Sequence, residues 1–209
     1  MKHLILTVAA FFAALTVSAA SVAVDFDSIK ASATSQPEMR RQLVDRFAAG
    51  DTLLTPVEMA LVYYGQAFTP GYARTETYAD VDSAYLGSDM PLTLTLVDEV
   101  LRTNPVALSQ LFRGFVASKA SKQPRISSRA GSFENRIMNI CDLIYASGTG
   151  VDTNDPFRVL TMADAEAFLR NYIRVDSIMD RSRLGHLEAV KTKVPGIADP
   201  VIFYFALPE

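Results

Sequence analysis

The stretch TPVEMALVYYGQAF, Thr55 to Phe68, constrains the fold more than any other. Thr55-Pro56-Val57-Glu58 is a capping box with proline at the first helical position, where its missing N–H costs nothing, so a helix is predicted to begin there. At about 100° per residue, Val57, Leu61, Tyr64 and Phe68 share one stripe, Tyr63 lies with Met59 on a second flank, and Val62 fills a third. A helix this apolar around its circumference has to be sandwiched between others. Tyr64 is therefore expected in the core and Tyr63 on a less buried flank. Tyr72, Tyr78 and Tyr85 follow in a polar stretch rich in Gly, Thr, Asp and Ser. They are expected to make surface contacts, and Tyr72 and Tyr78 are candidate binding residues.

Further helix signals surround this segment. Ser35-Gln36-Pro37-Glu38 has the pattern of a second capping box, followed by Met39, Leu43 and Phe47 at helical spacing and closed by Gly50. Pro91 to Arg102 predicts a helix, and Asn104 with Pro105 predicts the cap of the next, whose apolar face is Leu108, Leu111, Phe112 and Phe115. Two helices joined through TNP form an antiparallel hairpin of tetratricopeptide-like appearance. Phe133, Ile137, Ile140 and Ile144 mark another helix, ending near Ala146. After it the pattern changes. SGTGVDTNDP is turn chemistry, FRVLTM reads as a short strand, and Thr161 caps a helix burying Ala165, Phe168, Leu169 and Tyr172. HLEAVKTK alternates, and VIFYFAL is a dense run of β-formers. The expected fold is α+β: an N-terminal stack of short helices with the hairpin over residues 25–146, then a small C-terminal antiparallel β-sheet with one helix over residues 147–209.

The chain opens MKHLILTVAAFFAALTVSAASVAV, a short basic start, an apolar run from Leu4 to Val17, and small-x-small sites at Ser18-Ala19-Ala20 and Ser21-Val22-Ala23. This is the pattern of a secretory signal peptide over residues 1–20, with a single mature domain over 21–209. The run is shorter than the roughly 20 residues that span a bilayer. Cleavage after Ala20 takes 20 of 209 residues and one of 20 basic side chains, leaving 19 basic against 23 acidic. The expected protein is exported, periplasmic or extracellular, without a stable membrane span and without a nucleic-acid partner. Its single cysteine, Cys141, forms no internal disulfide, so stability rests on packing.

The inventory for catalysis is thin. Beyond the leader the only histidine is His186, and a Cys141–His186 dyad is weakened by the position of Cys141 on an apolar stripe. No G-x-S-x-G elbow is present to give His186 a serine. Asp152, Asn154 and Asp155 carry hard oxygens suited to calcium, but the remainder of an EF-hand loop is missing and Asx side chains close such turns unaided. SGTG precedes a strand rather than following one, the reverse of a phosphate loop. No cofactor is expected. The notable charge feature is Lys119, Lys122, Arg125, Arg129 and Arg136, opposed only by Glu134. Pro124 should end the helix that carries the lysines. Lysines at a helix C-terminus are favoured by its dipole, which leaves the forked guanidinium groups of Arg125 and Arg129, with Lys119 and Lys122, as the candidate anion site. The plainer reading is a solvated helix end. An envelope protein or an acidic glycan is the expected partner.

YYGQAFTPGY at Tyr63–Tyr72, LRTNPVAL at Leu101–Leu108, FENRI, SGTG and DPFRVL between Phe133 and Leu160, then LGHLEAV and VIFYF, resemble in their order and spacing the domain of unknown function 4919 family. These are uncharacterised exported proteins common in Bacteroidetes. The resemblance covers essentially the whole mature chain. It implies export and an α+β layout and assigns no catalytic residue. The function expected is a non-catalytic binding or protein-interaction module of the bacterial envelope. The alternatives are a carboxylate-dependent hydrolase of glycan or peptide, and a structural assembly component.

Overall fold

The computed structural model describes residues 24–72 and 78–208; the expected leader and its cleavage sites lie outside them. In chain order the helices are α1 (Phe26–Ser35), α2 (Pro37–Ala48), α3 (Pro56–Tyr63), α4 (Ala79–Leu86), α5 (Met90–Thr103), α6 (Leu108–Ala120), α7 (Pro124–Ser127) and α8 (Arg129–Ala146). The C-terminal part holds β1 (Phe157–Arg158), α9 (Met162–Phe168), β2 (Ser177–Leu184), β3 (Leu187–Lys193) and β4 (Val201–Ala206). The α+β layout stands. No helix among the described residues is long and apolar enough to cross a membrane.

Helix α3 starts as the sequence dictates. Thr55 Oγ1 accepts from the Glu58 N–H at 3.3 Å, and Glu58 Oε2 accepts from the Thr55 N–H at 2.8 Å. Its packing departs from the simple stripe. Tyr63 and Tyr64 are both fully buried, while Val57 is 75% exposed. Adjacent residues sit about 100° apart, so both are buried only where the helix is covered on two sides. Tyr64 begins a 3-10 turn over Tyr64–Phe68 and meets Phe26 of α1 edge-on at 5.5 Å. Its hydroxyl donates to the Arg158 carbonyl at 3.1 Å. Tyr63 points into the seam with the C-terminal part.

Two expected caps do not form. Asp25 starts α1, its carboxylate accepting from the Asp27 N–H at 3.1 Å. That places Ser35 at the end of α1 and leaves Gln36 ahead of α2, where its side chain makes no cap. Glu38 turns to Arg41 instead. Asn104 and Pro105 likewise form the turn before α6, which begins only at Leu108 after Ala107, a residue with no polar side chain to cap it. Gly50 does close α2, at φ +83, with its N–H on the Phe47 carbonyl at 2.9 Å.

The sheet is mixed rather than antiparallel. Its order is β1-β4-β3-β2, with β1 parallel to β4 and the other pairs antiparallel. FRVLTM yields only the two residues of β1, because Thr161 already starts α9. Strand β2, polar along most of its length, is fixed by pairing with β3. Asp180 stands opposite Lys191 and Arg183 opposite Glu188, opposite charges that favour this register. The inner face carries Phe157, Val190, Phe203 and Phe205, and Phe157 meets Phe168 of α9 edge-on at 5.2 Å. One core runs from here through α8 and α3 into the helical stack.

Candidate functional site

Chemically capable side chains gather in two places, an interior knot around Asp164 and the charged end of the α5–α6 hairpin. The knot begins with a local rule. Thr161 caps α9, its Oγ1 accepting from the Asp164 N–H at 3.0 Å. Asp164 then points inward and is 3% exposed. One oxygen accepts from the Leu108 N–H at 3.0 Å, supplying α6 with the cap that Ala107 lacks. The other accepts from the Tyr63 hydroxyl at 3.0 Å, and that hydroxyl in turn accepts from the Leu160 N–H at 3.3 Å. Residues 101 and 56 positions apart are thereby tied together.

Burial pushes the Asp164 carboxyl up to about 6, against the pull of the hydrogen bonds from Tyr63 and Leu108. The Tyr63 phenol is pushed well above its usual range, by burial first and by the Asp164 carboxylate second. Its proton therefore stays on the phenol and in the bond to Asp164. A carboxyl raised toward neutrality is a mark of general acids. Here both oxygens are engaged by protein donors in a closed interior, so the knot is structural.

The other candidates for chemistry are also built into the fold. Cys141 is fully buried, and burial drives its thiol far above the ordinary range. His186 sits exposed at the β2–β3 turn, so the two form no nucleophile–base pair. Asp152 Oδ1 accepts from the Asn154 N–H at 2.9 Å, and Asp155 Oδ2 accepts from the Thr149 N–H at 3.0 Å. These oxygens close their own loop as Asx turns do. Among the described residues no group of three or more His, Cys, Asp or Glu side chains is placed to hold a metal ion.

The basic residues separate into held and outward groups. Arg136 is buried, its guanidinium 5.1 Å from the Phe47 ring centre and donating to the Pro105 carbonyl at 2.6 Å. Burial lowers its pKa to about 10. Arg129 forks onto Asp98 of α5, with Nη1 to Oδ2 at 3.1 Å, and lies 5.4 Å from the Phe133 ring centre. Lys119 is exposed, its Nζ 5.6 Å from the Phe115 ring centre. Pro124 ends the segment after α6 and opens α7. Lys122 and Arg125 there are exposed and, among the described residues, enter no ion pair. Tyr72 and Tyr78 are half-buried, and the Tyr78 hydroxyl accepts from Asn104 Nδ2 at 3.2 Å.

The sequence offers Arg136 only as a member of the basic cluster, and it does not single out Asp164. The T-x-x-D pattern at Thr161 places Asp164 in the first turn of a helix. Nothing in the pattern says that its carboxylate serves a different helix.

No curated protein and no solved structure matches the chain. A family model described as a domain of unknown function (DUF4919) matches residues 27–182, from α1 into β2. The chain belongs to the domain of unknown function 4919 family.

Proposed function

We propose that this protein is an exported, non-catalytic interaction module of the bacterial envelope, and that its working surface is the basic end of the α5–α6 hairpin. The observation that carries this reading is the division among the cations. Arg129 and Arg136 are committed to Asp98 and to the Phe47–Phe133 cleft, while Lys119, Lys122 and Arg125 are exposed where α6 ends and α7 begins. Arg129 belongs to the site as the group that fixes the start of α8 beneath it. Cations spaced this closely at one end raise the local potential and recruit anionic groups. The partner presents carboxylates or acidic sugars. Asp164, Tyr63 and Cys141, whose titration burial shifts upward, lie inside and serve stability.

Binding to poly-glutamate and to polygalacturonate, at low and high salt, tests the surface. Wild type should bind both weakly and lose them with salt. Lys122→Ala/Arg125→Ala should bind markedly less while unfolding at the same denaturant midpoint. Equal binding by the two proteins refutes the assignment. Export is tested separately by sequencing the N-terminus of the secreted chain, expected between Ala20 and Val24. An intact Met1 would overturn it.

A further inference from the structure

The hairpin end carries more than cations. Because α5 and α6 pack against each other across a short connection, the start of α5 lies beside the end of α6. At that start, α4 and α5 enclose a shallow groove lined by Asp80, Ser83, Gly87, Asp89, Leu92 and Leu96. Two charges farther along the hairpin are paired to neighbouring helices, Arg113 of α6 to Asp82 of α4 and Asp98 of α5 to Arg129 of α8. Asp80 and Asp89 are exposed and, among the described residues, enter no ion pair. Among the described residues, one end of the hairpin thus shows acid outside any ion pair at the groove, Asp80 and Asp89, and base outside any ion pair at Lys119, Lys122 and Arg125. Large apolar side chains are exposed in the same elements, Leu86 at 81%, Leu92 at 46% and Val116 at 38%.

An end that exposes acid, base and apolar side chains can complement itself under a two-fold rotation. The rotation brings the acidic flank of one copy onto the basic flank of the other, and the reverse, and leaves exposed apolar side chains to meet between them. We propose that the acidic partner of this surface is a second copy of the chain, joined in an isologous dimer. Each copy then places Lys122 and Arg125 against the Asp80–Asp89 groove of its mate. A homodimer uses both flanks and the leucines at once, whereas a simple polyanion uses only the cations. This inference rests on the reading of the hairpin end as the working surface and names what occupies it.

The test is sedimentation of the mature chain at low and high salt with two charge-reversed variants, Lys122→Glu/Arg125→Glu and Asp80→Lys/Ser83→Lys. The second spares Asp89, which caps α5. Wild type should dimerise at low salt, with affinity about tenfold weaker at high salt, as expected for a few exposed pairs. Each variant alone should be monomeric, and an equal mixture should restore the dimer, because all-acid and all-base ends complement each other. The neutral pair Lys122→Ala/Arg125→Ala and Asp80→Asn gives the same reading of single-variant loss if a reversal impairs folding. A monomeric wild type at low salt, or variants that dimerise as wild type does, overturns the proposal, as does a mixture of folded variants that stays monomeric. A monomeric wild type that still binds poly-glutamate through Lys122 and Arg125 removes the dimer and leaves the working surface intact. Loss of both removes both.

Discussion

Replacing Asp164 by asparagine should remove a pH effect on stability that the buried carboxyl creates. The carboxyl is held at about 6 in the folded chain, against an ordinary value of 3.8, because burial penalises its charge more than its donors favour it. That difference corresponds to about 3 kcal/mol. The pKa is raised on folding, so between pH 4 and 6 the folded chain keeps a proton that the unfolded chain releases. The stabilisation is complete below the unfolded value and is lost as pH rises through the folded one. About 2 kcal/mol of it should be present on going from pH 7 to pH 4.5. Asp25, Glu38, Asp51 and Glu58 are acids held below their ordinary values by hydrogen bonds, so they act in the opposite direction at lower pH. Subtracting the variant from wild type removes their contribution. The amide introduced by Asp164→Asn keeps an oxygen for the Leu108 N–H and does not titrate. Urea unfolding of both proteins between pH 4.5 and 7 should therefore show wild type gaining about 2 kcal/mol relative to Asp164→Asn as pH falls. A difference independent of pH, or one that grows in the opposite direction, means that the bonds from Tyr63 and Leu108 outweigh burial and that Asp164 is ionised in the fold.

Tyr63→Ala and Tyr64→Ala should each cost about 3–5 kcal/mol in the same assay, with Tyr63 at least as costly since its loss also strips a donor from Asp164. A small loss for Tyr63 alone would place it on an exposed flank. Gly114→Ala should destabilise by about 1–3 kcal/mol although alanine favours helix, because a Cβ there collides with the Phe133 ring on α8. A gain in stability would mean that the α6–α8 contact is looser than described. Native Cys141 should resist maleimide for as long as the fold holds, given its complete burial. Rapid labelling would contradict that burial.

What the sequence made legible was local. The Thr55 box, the Gly50 stop and the Thr161 cap each follow from a few neighbouring residues and recur in the structure. Ser35 looks the same on paper, but Asp25 starts α1 early enough that Ser35 is still inside it. Helical stripes located the core of α8 and misjudged Tyr63, because a stripe assumes one buried side and α3 is covered on two. Strand β2 carries no alternation to read, and its existence depends on the partner strand β3. The same limit applies to the surface. Composition reveals five basic side chains in the cluster from Lys119 to Arg136, yet Asp98, 31 residues from Arg129, and the Pro105 carbonyl, 31 residues from Arg136, hold those two inward. Pairings at such range depend on the assembled fold.

The proposed binding surface is the basic end of the α5–α6 hairpin and not the sheet edge. Hydrogen exchange followed by peptide mapping, with and without poly-glutamate at low salt, distinguishes the two. With the chain dilute enough to be monomeric, slowed exchange is expected over residues 119–128, with β2 unchanged. Protection confined to Ser177–Leu184, the outer strand of the sheet, with residues 119–128 unaffected, would contradict it.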